Sequence, residues 1–183
     1  MKHKIFISLS FFLVVILFAC SKNSSSVSQK ETQQEEQTSA NSANSSEATQ
    51  LSGVGYFDAN DECNAAGQGA DLAFKFTGDL NGCWYVFIDE YDCSPSGTYR
   101  EEGRELFIGT YNGQPGEFWT TYKFEAKYED CDGGPLGAEI FGRCQHPIRE
   151  GSGTGVFEGV TGRVDMKDDI EAGNYPYRGH LQL

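Results

Sequence analysis

The chain has 183 residues, 22 of them glycine, and a formal net charge of −13. This acidity makes nucleic acid a poor partner, because phosphate binding needs clustered lysine and arginine. Only residues 51–183 have the mixed composition of a globular domain, and a chain of that size buries about two thirds of its unfolded surface. The sequence therefore predicts one domain that needs neither a metal ion nor disulfide staples to fold.

Residues 1–19 are typical of an export signal. The basic start Met1–Lys4 is followed by the apolar run Ile5–Phe18, which is too short to span a membrane comfortably. The stretch Leu17-Phe18-Ala19-Cys20 resembles the lipobox of bacterial lipoproteins, although Phe18 is bulkier than the residue usual at its position. The resemblance implies cleavage before Cys20 and attachment of two or more fatty-acyl chains, palmitate among them. Such chains hold a protein on a membrane, so we expect a lipid-anchored protein of the bacterial cell envelope, facing the periplasm or the cell surface.

Residues 20–50 have the composition of a disordered tether. They contain no glycine, proline or aromatic residue and consist mainly of Ser, Gln, Asn, Thr, Glu and Ala. Such a segment has too little apolar surface to offset the entropy lost on ordering. By random-coil scaling it would reach about 30 Å, so the domain of residues 51–183 would stand clear of the lipid headgroups.

Alternating apolar and polar residues predict strands beyond residue 70. Leu72, Phe74 and Phe76 share one face of a first strand, and a turn then leads to a second strand over Cys83–Ile88. The longest alternation runs from Phe118 to Glu129 and places an apolar face toward the core. Further strand-like segments lie at residues 97–102, 105–111 and 136–146.

With two strands expected beyond residue 150, these segments make about eight, and no window carries a sustained helical stripe. The pattern predicts an all-β fold, a single closed antiparallel barrel. An eight-stranded barrel has an interior just wide enough for side chains or one small ligand.

The glycine-rich stretch Gly153-x-Gly155-x-Phe157-x-Gly159-x-Thr161-Gly162 resembles a signature near the end of allene oxide cyclase-like and dirigent-like β-barrel proteins. The resemblance implies an eight-stranded barrel with a hydrophobic mouth, which in the plant relatives holds an oxylipin or a phenolic radical. It assigns no functional residue to a position of this chain.

The five cysteines of the domain are an odd set for an exported protein, so at most two disulfides form within it, and one thiol stays free or pairs between molecules. The favoured pairs are Cys83 with Cys93 and Cys131 with Cys144, since each would link a strand to an adjoining loop. Cys63 is then unpaired, and its pairing with Cys83 or Cys93 stays an alternative.

No pattern in the sequence predicts a metal ion or a cofactor. There is no Cys-x-x-Cys pair, and Cys144 with His146 offers only an isolated couple of ligands. The acidic clusters Asp58–Glu62 and Asp165–Asp169 are interpreted as solvated turns, because neither fits an EF-hand loop. The charged run Arg100–Glu105 is also expected to face water.

His146 is the weak candidate for a catalytic residue. Its strand parity with Cys144 points it inward, whereas His180 is expected to face water. An acid–base role would need a carboxylate to orient the imidazole, and no nucleophile elbow accompanies it. The alternative is a hydrogen-bonded histidine with a structural role alone.

The surplus of aromatic residues leaves room for a ligand pocket in the barrel mouth. The candidates for lining it are Trp84, Tyr122, Phe124, Ile140 and His146. The preferred hypothesis is a non-catalytic module that binds a small apolar molecule, since catalysis needs a poised titratable group. The alternatives are an isomerase or cyclase acting on a lipid-like substrate, and a structural surface lipoprotein without a ligand.

Overall fold

The computed structural model describes residues 47–132 and 134–183. The predicted export signal, Cys20 and most of the predicted tether lie outside these residues. Regular structure begins at Thr49, just before the domain boundary expected at residue 51.

Within the described residues the chain forms nine strands and one short 3-10 helix. The strands are β1 (Thr49–Phe57), β2 (Leu72–Gly78), β3 (Leu80–Cys93), β4 (Thr98–Tyr111), β5 (Gln114–Cys131), β6 (Pro135–Pro147), β7 (Thr154–Gly155), β8 (Thr161–Lys167) and β9 (Tyr175–Gln182), and the 3-10 helix covers Ala66–Gln68. No helix of this part of the chain has the length and apolar character needed to cross a membrane.

Eight of the strands close into an antiparallel barrel, which confirms the predicted fold class. They follow the order β4, β3, β2, β1, β9, β8, β6, β5, and pairing of β5 with β4 completes the circle. The predicted segments 97–102 and 105–111 are one continuous strand, β4, and β1 was not predicted at all. The first error adds one strand to the predicted number and the second omits one, so the expected total of about eight is unchanged.

Aromatic side chains fill one half of the barrel. Phe118 packs edge-on against Phe157 with ring centroids 4.9 Å apart, and Phe76 stacks on Trp84 at 4.8 Å. Tyr177 stacks on the other side of Phe76 at 4.9 Å. These rings are fully buried, so this half of the barrel has a solid core.

The glycine-rich stretch seals that end of the barrel instead of forming a full closing strand. Before β8 begins at Thr161, only Thr154–Gly155 of this stretch pairs as a strand, against the start of β5, and the turn that follows buries Phe157 and Val160. Gly155 has φ of 61°, and a Cβ there would collide with the carbonyl oxygen of Pro115. The glycine therefore allows the backbone to approach β5 closely enough to insert Phe157.

Residues between β1 and β2 cover the outside of the barrel. Cys63 in this connection is bonded to Cys83 of β3, and the Tyr85 hydroxyl donates a hydrogen bond to the Cys63 carbonyl oxygen at 2.9 Å. Tyr85, Ala73 and Leu106 are thereby buried on the outer face. The middle of β3, Trp84–Val86, is buried on both faces, which explains its continuous apolar run.

The favoured disulfide pairs were wrong. The bonded pairs are Cys63 with Cys83, whose Cα atoms are 5.8 Å apart, and Cys93 with Cys131, at 5.6 Å. Cys83 and Cys93 occupy the same strand and are separated by about 30 Å at the rise of extended chain, too far for a bond. Cys144 is free and buried.

The ends of β3 and β5 explain the second bond. Strand β4 lies between them but begins only at Thr98, and Cys93 and Cys131 lie where β3 and β5 end. By contrast Cys144 pairs with Phe124, far along β5 from Cys131. The alternative pairing of Cys63 with Cys83 is the one that the structure contains.

Candidate functional site

A cavity of about 180 Å³ lies in the half of the barrel away from Phe157. Its most buried lining residues, which form the floor, are Val86, Glu105, Tyr122, Cys144, His146 and Met166. Its half-buried lining residues, which form the rim, are Leu72, Phe74, Phe124, Tyr128, Glu139, Asp168 and Tyr175. The cavity combines aromatic and aliphatic walls with three carboxyl groups and one imidazole.

A buried histidine–carboxylate pair forms part of the floor. His146 is 1% exposed and Glu105 3%, and the distance from His146 Nδ1 to Glu105 Oε2 is 2.5 Å. Thr120 Oγ1 donates a second hydrogen bond to the same carboxylate oxygen at 2.8 Å. Because a carboxylate only accepts, Glu105 fixes the imidazole with its proton on Nδ1.

The other ring nitrogen of His146 has no partner. Nε2 is buried and receives no hydrogen bond from any described residue. In the neutral tautomer that Glu105 selects, this nitrogen is an acceptor. A buried polar atom left unpaired costs about 1–3 kcal/mol, so a hydrogen-bond donor placed at this nitrogen would be stabilising.

Cys144 is not arranged as a nucleophile. Its Sγ lies 3.9 Å from His146 Nδ1, the same nitrogen that Glu105 already engages. Burial, and then the charge of Glu105, raises the pKa of the Cys144 thiol well above its usual range. The sulfur stays a protonated thiol, and nucleophilic catalysis needs the thiolate.

Two carboxyl groups converge at the rim. Glu139 Oε1 is buried without a hydrogen-bond donor, and both it and Asp168 Oδ2 occupy the space where a side chain of residue 142 would extend. Burial, followed by the adjacent Glu139, raises the pKa of Asp168 to about 7. A protonated Asp168 can donate to Glu139, whereas two ionised carboxylates repel each other.

A hydroxyl–carboxylate network supports the floor from the side. Tyr122 donates a hydrogen bond of 2.6 Å from its hydroxyl to Glu101 Oε1, and Tyr99 donates to Glu101 Oε2. Burial, and then the bond to Glu101, raises the pKa of Tyr122 above its usual range. Tyr122 therefore stays a neutral phenol, and its ring lies nearly parallel to that of His146.

Three of the five predicted pocket residues line the cavity, namely Tyr122, Phe124 and His146. Trp84 does not, because it is fully buried in the core and meets the His146 ring edge-on at 5.4 Å. Ile140 is 56% exposed on the outside of the barrel, so the prediction that it lines the pocket was wrong.

A β-bulge explains the position of Ile140. Tyr128 pairs with Glu139 and Lys127 with Phe141, so Ile140 has no opposite residue in β5. The extra residue reverses the alternation of β6, since each one-residue slip moves every side chain to the other face. On the His146 side of the bulge the even-numbered residues of β6 point inward, as predicted. On the far side the alternation is reversed, and Glu139 points inward instead of Ile140.

The cavity carboxylates were the functional residues that sequence reasoning missed. The charged run Arg100–Glu105 was expected to face water, yet Glu105 is buried and Glu101 half-buried. Parity along one continuous β4 would have found Glu105, because Tyr99, Phe107 and Tyr111 share its face. Asp168 was interpreted as part of a solvated turn, and no local signal marks it as a cavity residue.

Among the described residues, no group of three histidine, cysteine or acidic side chains is arranged to hold a metal ion. What the cavity can do chemically is accept hydrogen bonds, balance a positive charge and exchange protons through His146 and Asp168. Fold and site together define a small closed antiparallel β-barrel with a half-filled interior and an acidic, aromatic cavity.

No family model, curated protein or solved structure matches the chain. A relationship to allene oxide cyclase-like proteins, based on the glycine-rich stretch, therefore stays a prediction.

The raised pKa of Asp168 predicts a pH-dependent effect of Asp168→Asn. The folded state holds the proton of Asp168 up to about pH 7, while the unfolded chain releases it near pH 4, so this group's stabilising effect is lost as pH rises between these values. Asp168→Asn removes this titrating group, so its unfolding free energy relative to the parent should rise by about 1–2 kcal/mol between pH 4.5 and pH 8. The rise is smaller than the full pKa shift would give, because solvent screens a half-buried carboxyl.

Urea denaturation at pH 4.5, 6 and 8 measures this change. The exposed carboxylate of Asp92 provides the control, and Asp92→Asn should show no comparable drift. An Asp168→Asn effect of equal size at all three pH values would contradict the assignment.

Proposed function

We propose that the protein is a lipid-anchored module of the bacterial cell envelope whose barrel binds a small, mainly apolar molecule. The observation that supports binding is the cavity between the solid aromatic core and the barrel rim. Its walls are mostly apolar, and a few polar groups converge on its floor and rim. This combination is typical of ligand sites in β-barrels.

The volume of the cavity limits the ligand. A cavity of about 150 Å³ is large enough for benzene, whereas pockets for drug-sized molecules have about 300–1,000 Å³. The cavity of 180 Å³ therefore suits a molecule of one ring or a short branched chain. An extended lipid chain would have to leave much of its length outside the barrel.

The membrane anchor is proposed from the lipobox-like stretch that ends at Cys20. Substitution Cys20→Ser should abolish lipidation and shift the protein from the membrane pellet to the soluble fraction of a bacterial expression host. Labelling with an alkyne analogue of palmitate, followed by detergent phase partitioning, measures both effects. Ser21→Ala is the neighbouring control, and unchanged membrane association of Cys20→Ser would refute the anchor.

Binding of a small apolar guest is tested with xenon and toluene. The full mature chain should shift the ¹²⁹Xe resonance and melt at higher temperature in toluene-saturated buffer, because a ligand of the native state alone stabilises it. Leu72→Trp should remove both responses by filling the rim.

The matched control is Ile140→Trp, which adds the same bulky ring on the outside of the barrel and should leave both responses intact. A parent protein that responds to neither probe would defeat the binding proposal, provided that circular dichroism confirms the folded barrel.

A second candidate function is acid–base isomerisation of a small molecule in the same cavity. It is favoured by the orientation of His146 by Glu105 and by an Asp168 pKa of about 7, which is close to the ideal for proton transfer at neutral pH. The catalytic base would be Nε2 of His146, the nitrogen left free by Glu105.

Incubation with ring-sized ketones in D₂O tests this candidate. An enzyme of this kind should accelerate exchange of the proton beside the carbonyl, followed by NMR, and His146→Gln should lower the rate at least about a hundredfold. His180→Gln is the control, since His180 is exposed. Exchange at the buffer rate, or equal exchange by His146→Gln, would exclude this role.

A further inference from the structure

In the part of the chain that the structure describes, the cavity is lined by carboxylic acid side chains but by no lysine or arginine. Three of its thirteen described lining residues are carboxylic acids, Glu105, Glu139 and Asp168, and none is lysine or arginine. Glu105 is balanced by His146 and Thr120. Glu139 and Asp168 have each other as neighbours, and no ion pair with a lysine or arginine of the described residues neutralises them. The rim thus carries negative charge that a bound guest would meet.

The unpartnered polar atoms of the site are acceptors. Nε2 of His146, on a side chain that is almost fully buried, accepts when Nδ1 carries the proton bound by Glu105. Oε1 of Glu139 is also buried, and Asp168 can donate to it only while protonated, so above about pH 7 it lacks a donor among the described residues. A guest that supplies N–H groups satisfies both kinds of atom, whereas an anion or a pure acceptor satisfies neither.

The walls around these acceptors are aromatic. Phe74 meets Tyr175 edge-on with centroids 4.8 Å apart, and the rings of Tyr122, Phe124 and Tyr128 also line the cavity, beside the aliphatic side chains of its walls. Faces of aromatic rings attract organic cations by their quadrupole, and this attraction grows when water is excluded. A hard metal ion gains little from such walls and needs several oxygen ligands.

We infer that the cavity selects a small organic ammonium ion, with its charged nitrogen at the Glu139–Asp168 end and its apolar part between the aromatic rings. This inference rests on the proposed binding function and names the class of its ligand. The cavity of 180 Å³ limits the guest to one ring with a short aminoalkyl arm or to a compact alkylamine. The two rim carboxylates would then share one counter-charge instead of repelling each other.

Isothermal titration calorimetry with three molecules of nearly equal shape tests the inference. Benzylamine, benzyl alcohol and benzoate place an ammonium, a hydroxyl and a carboxylate on the same ring. At pH 8 the full mature chain should bind benzylamine about tenfold or more tighter than benzyl alcohol, and benzoate should not bind. A titration with calcium chloride tests whether the site prefers a metal ion, and calcium should compete poorly with benzylamine.

Charge-removing variants locate the ammonium. Glu139→Gln and Asp168→Asn keep the shape of the rim, and each should lower the preference for benzylamine over benzyl alcohol to less than about threefold. Glu158→Gln is the matched control, because Glu158 is an exposed carboxylate in the turn that seals the opposite end of the barrel. It should leave the preference unchanged.

The outcomes separate the two levels of the hypothesis. If benzyl alcohol binds as tightly as benzylamine, or if benzoate or calcium binds best, the ammonium inference fails while binding in the barrel stands. If none of these compounds binds and xenon gives no shifted resonance, the proposed binding function fails as well. A preference for benzylamine that survives both rim substitutions would also overturn the inference, since the charge would then be recognised elsewhere.

Discussion

Closure of the barrel depends on the pairing of β4 with β5. The two strands form an unbroken antiparallel ladder from Thr98 opposite Lys127 to Tyr111 opposite Gln114, and this ladder joins the two ends of the eight-stranded sheet. Without it β4 would be a long free edge, which sheet proteins avoid. The same ladder brings Glu105 of β4 beside Thr120 of β5, so the strand pairing that closes the barrel also builds the floor of the cavity.

The interior is divided because the two halves have different side chains. Near Phe157 the inward positions of β4 and β5 carry Phe107 and Phe118, and their rings fill the cross-section. Farther along the same two strands the inward positions carry Glu105, Glu101 and Tyr122, which hydrogen-bond to partners in the barrel wall. These buried polar groups are satisfied by hydrogen bonds to one another, and the cavity lies beside Glu105 and Tyr122 in this half of the barrel.

The sequence predicted what depends on local alternation. The apolar face of residues 118–128, the inward direction of His146 and the all-β class follow from a period of two along each strand, and the structure confirms them. Where alternation is interrupted, prediction failed. The bulge at Ile140 reversed the faces of β6, and the division of β4 into two segments hid the common parity of Tyr99 and Glu105.

The remaining errors concern contacts between residues far apart in sequence. The disulfide of Cys93 with Cys131 depends on where β4 begins, and the meeting of Glu139 with Asp168 depends on the register of β6 against β8. A short window of sequence predicts neither of these two contacts. The glycine-rich stretch was recognised by its resemblance to a β-barrel signature, and the three-dimensional fold reveals that it inserts Phe157 into one end of the barrel.

The direction of β1 places the start of this strand at the end of the barrel that Phe157 closes. Thr49 pairs with Leu181 in the sealed half of the barrel, and the strand then runs toward Gly55, which pairs with Tyr175 of the cavity rim. Thr49, where β1 begins, therefore lies at the sealed end of the barrel. The cavity opens at the opposite end of the barrel, on the side away from the start of β1.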